Sequence, residues 1–179
     1  MALVSNSVAY PFCGLYVISQ PERNARVVRP RDPCSEYSAK LSVSPDGASV
    51  LRTNGTGTEV VDLATGSARK IGTYKHATWS PDGKWLAVFG GGRLALLEAT
   101  SFRRVRALGR GYDEYPTWSP DSRYLLVGWP LCDSYFFSLS ALEVYTGRRS
   151  EIKSSHCAVS HQGYFWVRDG ACQAWTAGR

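Results

Sequence analysis

The sequence predicts an all-β fold of short antiparallel strands. The chain has 179 residues, of which 17 are glycine, 9 are proline and 12% are aromatic. This composition favours short strands and tight turns over long helices. Apolar residues make up 44% and charged residues 20%, as in a globular domain. In addition, one turn segment or a variant of it recurs four times, which predicts a fold built from repeated units.

The repeats align on a shared serine. The four positions are Ser44, Ser80, Ser119 and Ser160, at intervals of 36, 39 and 41 residues. A period near 40 in strand-rich sequence is typical of one propeller blade per repeat. The sequence therefore predicts a single β-propeller domain over residues 1–179, made of four-stranded antiparallel blades.

Each repeat predicts the same order of strands. A short apolar strand ends at Ser-Pro-Asp-Gly, where Pro fixes φ, Asp accepts backbone hydrogen bonds and Gly tolerates positive φ. A second strand, a glycine turn and a third strand follow, and Thr65-Gly66 or Thr146-Gly147 then leads into a fourth, basic strand. We designate these strands a, b, c and d. The predicted whole blades are 40–72, 75–109 and 115–153.

The two ends of the chain predict incomplete blades, at 1–32 and 156–176. Residues 14–19 and 25–29 predict strands c and d, whereas residues 158–168 predict strands a and b. Together they would complete one blade, in a four-bladed ring or, exchanged between two chains, in an eight-bladed dimer. Cys13 and Cys172 would then meet at one b–c turn, within reach of a disulfide.

The repeated turns resemble the TolB-like β-propeller repeat, a relative of the WD repeat. Residues 79–83 read Trp-Ser-Pro-Asp-Gly in full, residues 118–122 depart from it only at Ser122, and residues 44–47 follow Val43 in place of Trp. The copy at 160–163 is degenerate. The resemblance covers nearly the whole chain and implies a propeller, usually of six or more blades, so this one would be small or incomplete. The resemblance also allows a periplasmic or secreted location, although the N-terminus has no signal-peptide pattern.

The sequence contains none of the common catalytic motifs. It has no GxSxG, P-loop, HExxH or GxGxxG segment. We therefore expect a protein that is not an enzyme and uses no cofactor. Asp46, Asp82 and Asp121 recur at one turn position, which favours a structural role for them over catalysis.

Residues that lead into strand a are expected to line the central opening of a propeller. They are Lys40, His76, Tyr115 and His156. His76 and His156, with Asp113 and Glu114 nearby in sequence, are weak candidates for holding a divalent metal or a polar ligand. The blander interpretation, which we favour, is a solvated rim.

One loop departs from the repeat. Residues 128–140 replace the short Gly90–Gly92 turn of the preceding blade, and they carry the aromatic residues Trp129, Tyr135, Phe136 and Phe137. Exposed aromatics on an inserted loop are typical of a recognition surface. Equally, the strands could extend and the aromatics could pack on a neighbouring blade.

Basic residues cluster on the predicted outer strands, among them Arg69, Arg104 and Arg149. Charges on edge strands prevent aggregation, and we favour that role over binding of an acidic partner. We do not expect nucleic acid as a partner, because no nucleic-acid-binding motif accompanies the charge.

The sequence thus predicts a non-catalytic propeller scaffold for protein–protein interaction, either with a different protein or as a homo-oligomer. One alternative is a ligand- or metal-binding propeller, including a hydrolytic one. Another is the propeller fragment of a larger peptidase-type enzyme. No apolar run is long enough to predict a membrane span.

Overall fold

The computed structural model describes residues 2–9, 12–19, 25–30, 40–110, 116–130 and 137–152. All regular secondary structure within these ranges is β-strand. The prediction of an all-β fold is therefore confirmed. Since no helix occurs in the described ranges, none there could cross a membrane.

The first sheet, which we call the N-terminal sheet, has three antiparallel strands. They are β1 (Ala2–Ala9), β2 (Phe12–Ser19) and β3 (Ala25–Pro30). The other three sheets each have four strands in the order a, b, c, d, as predicted for propeller blades.

These four-stranded sheets are named blades I, II and III. Blade I consists of β4 (Lys40–Val43), β5 (Ser49–Asn54), β6 (Gly57–Asp62) and β7 (Ala68–Gly72). Blade II consists of β8 (His76–Trp79), β9 (Trp85–Gly90), β10 (Arg93–Glu98) and β11 (Arg104–Arg110). Blade III consists of β12 (Thr117–Trp118), β13 (Tyr124–Pro130), β14 (Phe137–Glu143) and β15 (Arg149–Ile152).

The N-terminal sheet has the two predicted strands and one more. β2 and β3 pair over the residues expected for strands c and d, and β1, which the sequence did not predict, pairs with the other edge of β2. The place that strand b of a composite blade would take is therefore filled by Ala2–Ala9. Cys13 lies opposite Val8 of β1. Cys172 lies outside the described residues, so the disulfide stays a prediction.

The chain divides into two compact units, Met1–Trp79 and Ser80–Arg179. In the first unit, Leu15 of the N-terminal sheet packs with buried side chains of blade I, which are Val50, Val61 and Leu63. In the second unit, the core joins side chains of β9, β10 and β11 to those of blade III. Trp118 belongs to this core and is 7% exposed, whereas Trp79, at the corresponding position of strand a in blade II, is half-buried.

The turn between strands a and b is the same in all three blades. In blade I the Ser44 hydroxyl donates to Asp46 Oδ1 at 2.5 Å and accepts the Ser49 N–H at 2.9 Å. Asp46 Oδ1 also accepts the Ala48 N–H at 3.0 Å. The same bonds recur in the other two blades around Ser80 with Asp82 and around Ser119 with Asp121. The structural interpretation of the three aspartates is confirmed.

Ser122 occupies the glycine position of this turn in blade III. Its φ is 60°, in the left-handed region that disfavours a side chain, and Gly47 and Gly83 have φ of 72° at the equivalent positions. Ser122 is 2% exposed, and its Oγ accepts the N–H of Asp82 from blade II at 3.0 Å. The residue that breaks the repeat therefore links two neighbouring turns of the second unit.

We expect Ser122→Ala to lower the free energy of unfolding by about 2 kcal/mol, because it removes this bond and keeps the strained φ. Ser122→Gly loses the same bond but relieves the backbone, so its loss should be about 1 kcal/mol smaller. Urea denaturation measures both values. A glycine variant more stable than the wild type would show that the link between the turns contributes less than the strain.

In the turn between strands c and d of blade I, a glycine lies close to the backbone of a neighbouring sheet. Gly66 of blade I has φ +73°, and a Cβ placed there would lie 2.5 Å from the carbonyl oxygen of Val28 in the N-terminal sheet. The Arg26 guanidinium donates to the Leu63 carbonyl beside it. Gly147 of blade III has φ +75° in the same turn, but nothing lies within 4 Å of its Cβ position.

Gly66 and Gly147 therefore form a matched pair for mutation. Gly147→Ala should cost about 1 kcal/mol of unfolding free energy, since only the left-handed backbone disfavours alanine there. Gly66→Ala should cost at least about 1–2 kcal/mol more, because the new methyl group would also have to displace a backbone carbonyl. Equal losses in thermal or urea denaturation would mean that β3 does not rest on this turn.

Candidate functional site

The antiparallel order gives every blade two different ends. The a–b and c–d turns lie at one end, which we call the repeated end because its bonds recur from blade to blade. The b–c turn lies at the other end, which we call the variable end. In blade I the b–c turn is 54–57, in blade II it is 90–93, and in blade III it spans 130–137.

A cavity of about 420 Å³ lies at the variable end of blade I. Three segments line it: Lys40 at the start of strand a, Thr53 with the b–c turn 54–57, and residues 73–75 beyond strand d. Lys40 pairs with Thr53 across strands a and b, and Thr58 pairs with Gly72 across strands c and d. The sheet register itself thus brings the three segments to one place.

The b–c turn that forms one wall is held by its own side chains. Asn54 Oδ1 accepts the backbone N–H of Thr56 at 3.0 Å and the Thr56 hydroxyl at 2.7 Å, which is an Asx turn. Gly57 has φ +129°, and a Cβ there would collide with the Gly72 carbonyl oxygen. Strands c and d consequently approach each other closely at the edge of the cavity.

The opposite wall is tied to the sheet by hydroxyl groups. The buried hydroxyls of Thr53 and Thr58 are 2.9 Å apart and bond to each other. The Thr58 hydroxyl lies 3.3 Å from the Tyr74 carbonyl, to which it donates. The Tyr74 ring lies against Gly72, where a Cβ would overlap it. The chain beyond strand d is therefore fixed by packing as well as by hydrogen bonds.

The described residues that line the cavity include two lysines, Lys40 and Lys75. In the same blade, the buried Arg52 forms an ion pair with Glu59 across strands b and c, at 2.8 Å.

Of the residues suggested to hold a metal ion, the structure describes His76. His76 begins strand a of blade II and is half-buried. Its suggested partners His156, Asp113 and Glu114 lie outside the described residues, as does Tyr115. Within the described ranges, no three His, Cys, Asp or Glu side chains gather where they could hold a metal ion. The His76 and His156 site stays a prediction.

The aromatic insertion lies at the variable end of blade III. β13 and β14 each have seven residues, against six in the matching strands of blade II. They stay paired as far as the described residues reach, with Trp129 opposite Ser138 and Pro130 opposite Phe137. Within the described residues, each strand is thus one residue longer than its counterpart in blade II. Tyr135 and Phe136 fall in 131–136, outside the described residues.

The outer strands carry the predicted basic residues. Their side chains are exposed at Arg69, Lys70, Arg103, Arg104, Arg106, Arg110, Arg148 and Arg149. Arg149 donates from Nε to the buried Ser140 hydroxyl at 2.9 Å. The cluster therefore lies along sheet edges, where charge disfavours pairing with another strand.

Comparison with known proteins identifies the fold. No protein-family model matches the chain, and no curated protein matches it in sequence. The structure of TolB from Acinetobacter baumannii matches with a TM-score of 0.67 at 17% identity, over 86% of this chain and 41% of that one. The β-propeller domain of the Trilobed protease from Pyrococcus furiosus matches with a TM-score of 0.56 at 15% identity, over 93% and 55%. The fold is that of a β-propeller.

Propellers with other roles match as well. A chain of a nidogen–laminin complex matches with a TM-score of 0.56 at 12% identity, over 79% of this chain and 57% of that one. An oligogalacturonate lyase and a prolyl endopeptidase also match, each at 15% identity. The chain spans about half the length of the chains it matches, or less. The structural similarity confirms the predicted fold. The matched proteins have different functions.

Sequence reasoning found part of this site and missed the rest. The sequence predicts Lys40 at the rim, whereas the hydroxyl groups of the cavity belong to no recognisable motif. A signal was present, since Lys75 precedes His76 and the segment 53–58 holds three threonines. What the sequence lacked was the register that brings these segments together.

The carboxylates of the repeated end predict a pH dependence of stability. The Ser44 hydroxyl and the Ala48 N–H hold the pKa of Asp46 below its ordinary value of 3.8, and the Ser119 hydroxyl and Arg123 N–H do so for Asp121. Ionised carboxylates are thus favoured by folding. Their stabilisation is present above pH 3.8 and is lost as the pH falls through the lowered values.

We expect the double variant Asp46→Asn, Asp121→Asn to be less stable than the wild type at neutral pH, by less than about 1 kcal/mol for each turn because both sites are solvated. Asparagine keeps an acceptor oxygen, so the turns still form. The difference in urea midpoint should shrink as the pH falls below 3.8. Glu151→Gln, on the exposed outer strand of blade III, serves as control. A difference that stays constant down to the acid end would contradict this account.

Proposed function

We propose that the chain is a non-catalytic propeller scaffold that binds another protein through the variable end of blade III. The observation that carries this proposal is the β13–β14 hairpin, whose strands stay paired as far as Pro130 and Phe137. A paired hairpin offers its tip residues at little cost in conformational entropy. The tip is rich in aromatic residues, which dominate binding energy in protein interfaces.

The base of this hairpin is firmly packed, which supports its use for recognition. Leu125, Val127 and Leu142 are at most 1% exposed and belong to the core of the second unit. Binding loops commonly rest on such rigid scaffolds. The repeated carboxylates, in contrast, already serve the turns, so they offer no free pair for acid–base chemistry. A related fold is present in the nidogen–laminin complex.

The test uses Trp129→Ala and Phe136→Ala together in the full chain. We expect the proteins that co-purify with the tagged wild type to be lost, since truncation of aromatic anchors often costs 2 kcal/mol or more in an interface, about thirtyfold in affinity. The melting temperature should stay nearly unchanged. Quantitative mass spectrometry of the co-purified proteins and a thermal melt give both results.

Tyr145 provides the matched control, because it is an aromatic residue in the c–d turn of the same blade, is 48% exposed and lies at the repeated end. Tyr145→Ala should retain the partner. Loss of the partner in both variants, or a large fall in melting temperature for the hairpin variant alone, would contradict the proposal. A wild-type mass of two chains in light scattering that the hairpin variant lacks would identify the partner as a second copy.

A further inference from the structure

We propose that Asn54 is a site of spontaneous deamidation, a covalent modification that converts its side-chain amide to a carboxylate. The nucleophile is the backbone nitrogen of Gly55, and the reaction consumes only water. This modification goes beyond the proposed function, which uses the variable end of blade III. It rests on three features of the b–c turn of blade I: the exposure of the turn, the hydrogen bonding of the Gly55 nitrogen and the two donors that hold the Asn54 side chain.

The attacking nitrogen is accessible. Gly55 and Thr56 are exposed at the tip of the turn, and Asn54 is half-buried. Because glycine has no Cβ, no side chain on residue 55 hinders the approach of its nitrogen to the Asn54 side-chain carbon. Within residues 40–110, moreover, the Gly55 N–H donates to no backbone carbonyl. No backbone hydrogen bond of this range therefore has to break before the nitrogen can react.

Two donors converge on the side-chain oxygen of Asn54. Its Oδ1 accepts the Thr56 N–H at 3.0 Å and the Thr56 hydroxyl at 2.7 Å. Negative charge develops on this oxygen when the neighbouring nitrogen attacks the side-chain carbon. Donors that are already aimed at a developing oxyanion stabilise the transition state, as they do in acyl-transfer enzymes. The Asx turn that reverses the chain is therefore also preorganised for this reaction.

The reaction proceeds through a cyclic imide. Hydroxide removes the Gly55 amide proton, a bond forms between this nitrogen and Asn54 Cγ, and Nδ2 takes a proton from water and leaves as ammonia. Water then opens the ring. Cleavage of the bond between the Gly55 nitrogen and Cγ gives aspartate, whereas cleavage of its bond to the main-chain carbonyl carbon gives isoaspartate. No atom is oxidised or reduced.

Two aspartate–glycine pairs in the same chain could form the same imide, but their turns hinder it. They are Asp46-Gly47 and Asp82-Gly83. In each, the glycine N–H donates to the carbonyl of the serine of the turn at 2.9 Å. The Ser44 hydroxyl and the Ala48 N–H also lower the pKa of Asp46, so this carboxyl stays ionised and is a poor electrophile at neutral pH. The repeated turns thus engage the nitrogen atom that would have to attack.

The product would change both the charge and the backbone of the b–c turn. A carboxylate would replace a neutral amide in the wall of the cavity that Lys40 and Lys75 also line. Isoaspartate would in addition place one more carbon atom in the main chain at the end of β5, where Asn54 pairs with Gly57. Deamidation would therefore alter the variable end of blade I with time.

The test follows residue 54 during incubation of the purified full chain at neutral pH. Peptide mass spectrometry detects the replacement of NH2 by OH, and electron-transfer fragmentation separates aspartate from isoaspartate. We expect both products to accumulate at residue 54, and to do so faster at higher pH because hydroxide generates the nucleophile. Asp46 and Asp82 serve as internal controls and should not isomerise over the same period.

Variants of Thr56 test the role of the turn. Thr56→Ala should slow deamidation about tenfold, which is the effect of losing one hydrogen bond to a developing charge, and Thr56→Ser should restore the rate. Thr65→Ala is the matched control, because the Thr65 hydroxyl donates to Asp62 Oδ1 at 2.8 Å in the c–d turn of the same blade. It should leave the rate at Asn54 unchanged. Gly55→Ala should slow the reaction, since its methyl group would crowd the attacking nitrogen.

Three results would overturn the proposal. One is an Asn54 amide that survives prolonged incubation intact. Another is a rate in the folded chain far below that of the chain unfolded in urea, which would mean that the turn protects the amide. The third is an equal rate in Thr56→Ala and the wild type, with a thermal melt showing that the variant is folded. None of these results bears on the hairpin of blade III, so the proposed function would stand or fall separately.

Discussion

One serine hydroxyl in each blade fixes the geometry on which the other features depend. It donates to the aspartate two residues ahead and accepts the first N–H of strand b, and in blade I these are Asp46 and Ser49. The turn is thereby satisfied internally and the register between strands a and b is set. With that register given, Lys40 must pair with Thr53. The start of strand a and the end of strand b then meet at the variable end, where the cavity forms.

At the repeated end, turn residues that touch a neighbouring sheet are constrained by both sheets. Ser122 replaces a glycine of the turn and accepts a hydrogen bond from blade II within the second unit. Gly66 keeps the glycine of the repeat for two reasons. Its φ is positive, and a Cβ at this position would collide with the Val28 carbonyl oxygen. A propeller sheet packs on both of its faces, so a turn residue serves two sheets. The identity of such a turn residue therefore depends on both sheets.

The fold could be predicted because its signal occurs in several copies, so that a degenerate copy such as 160–163 does not obscure it. β1 was missed because no Ser-Pro-Asp-Gly turn introduces it and its centre, Ser5 to Ser7, is polar and small. The cavity could not be predicted, because its lining comes from three segments that only the register unites. Lys40 was recognised as a rim residue, yet its neighbours in space, Tyr74 and Lys75, are far along the chain.

The fold constrains the amino-acid sequence more strongly at the repeated end of a blade than at the variable end. At the repeated end, polar groups such as Asp46 and Asp62 are consumed by bonds inside their own turns, and a substitution there disturbs the strand register. At the variable end the sheet requires only a reversal of the chain, which Gly91-Gly92 with φ of 59° and 69° accomplishes alone. Lysines in blade I and aromatic residues in blade III can therefore accumulate at that end without any change to the core. For this reason we expect a binding function at positions where the sequence departs from the repeat, and not at the repeated turns.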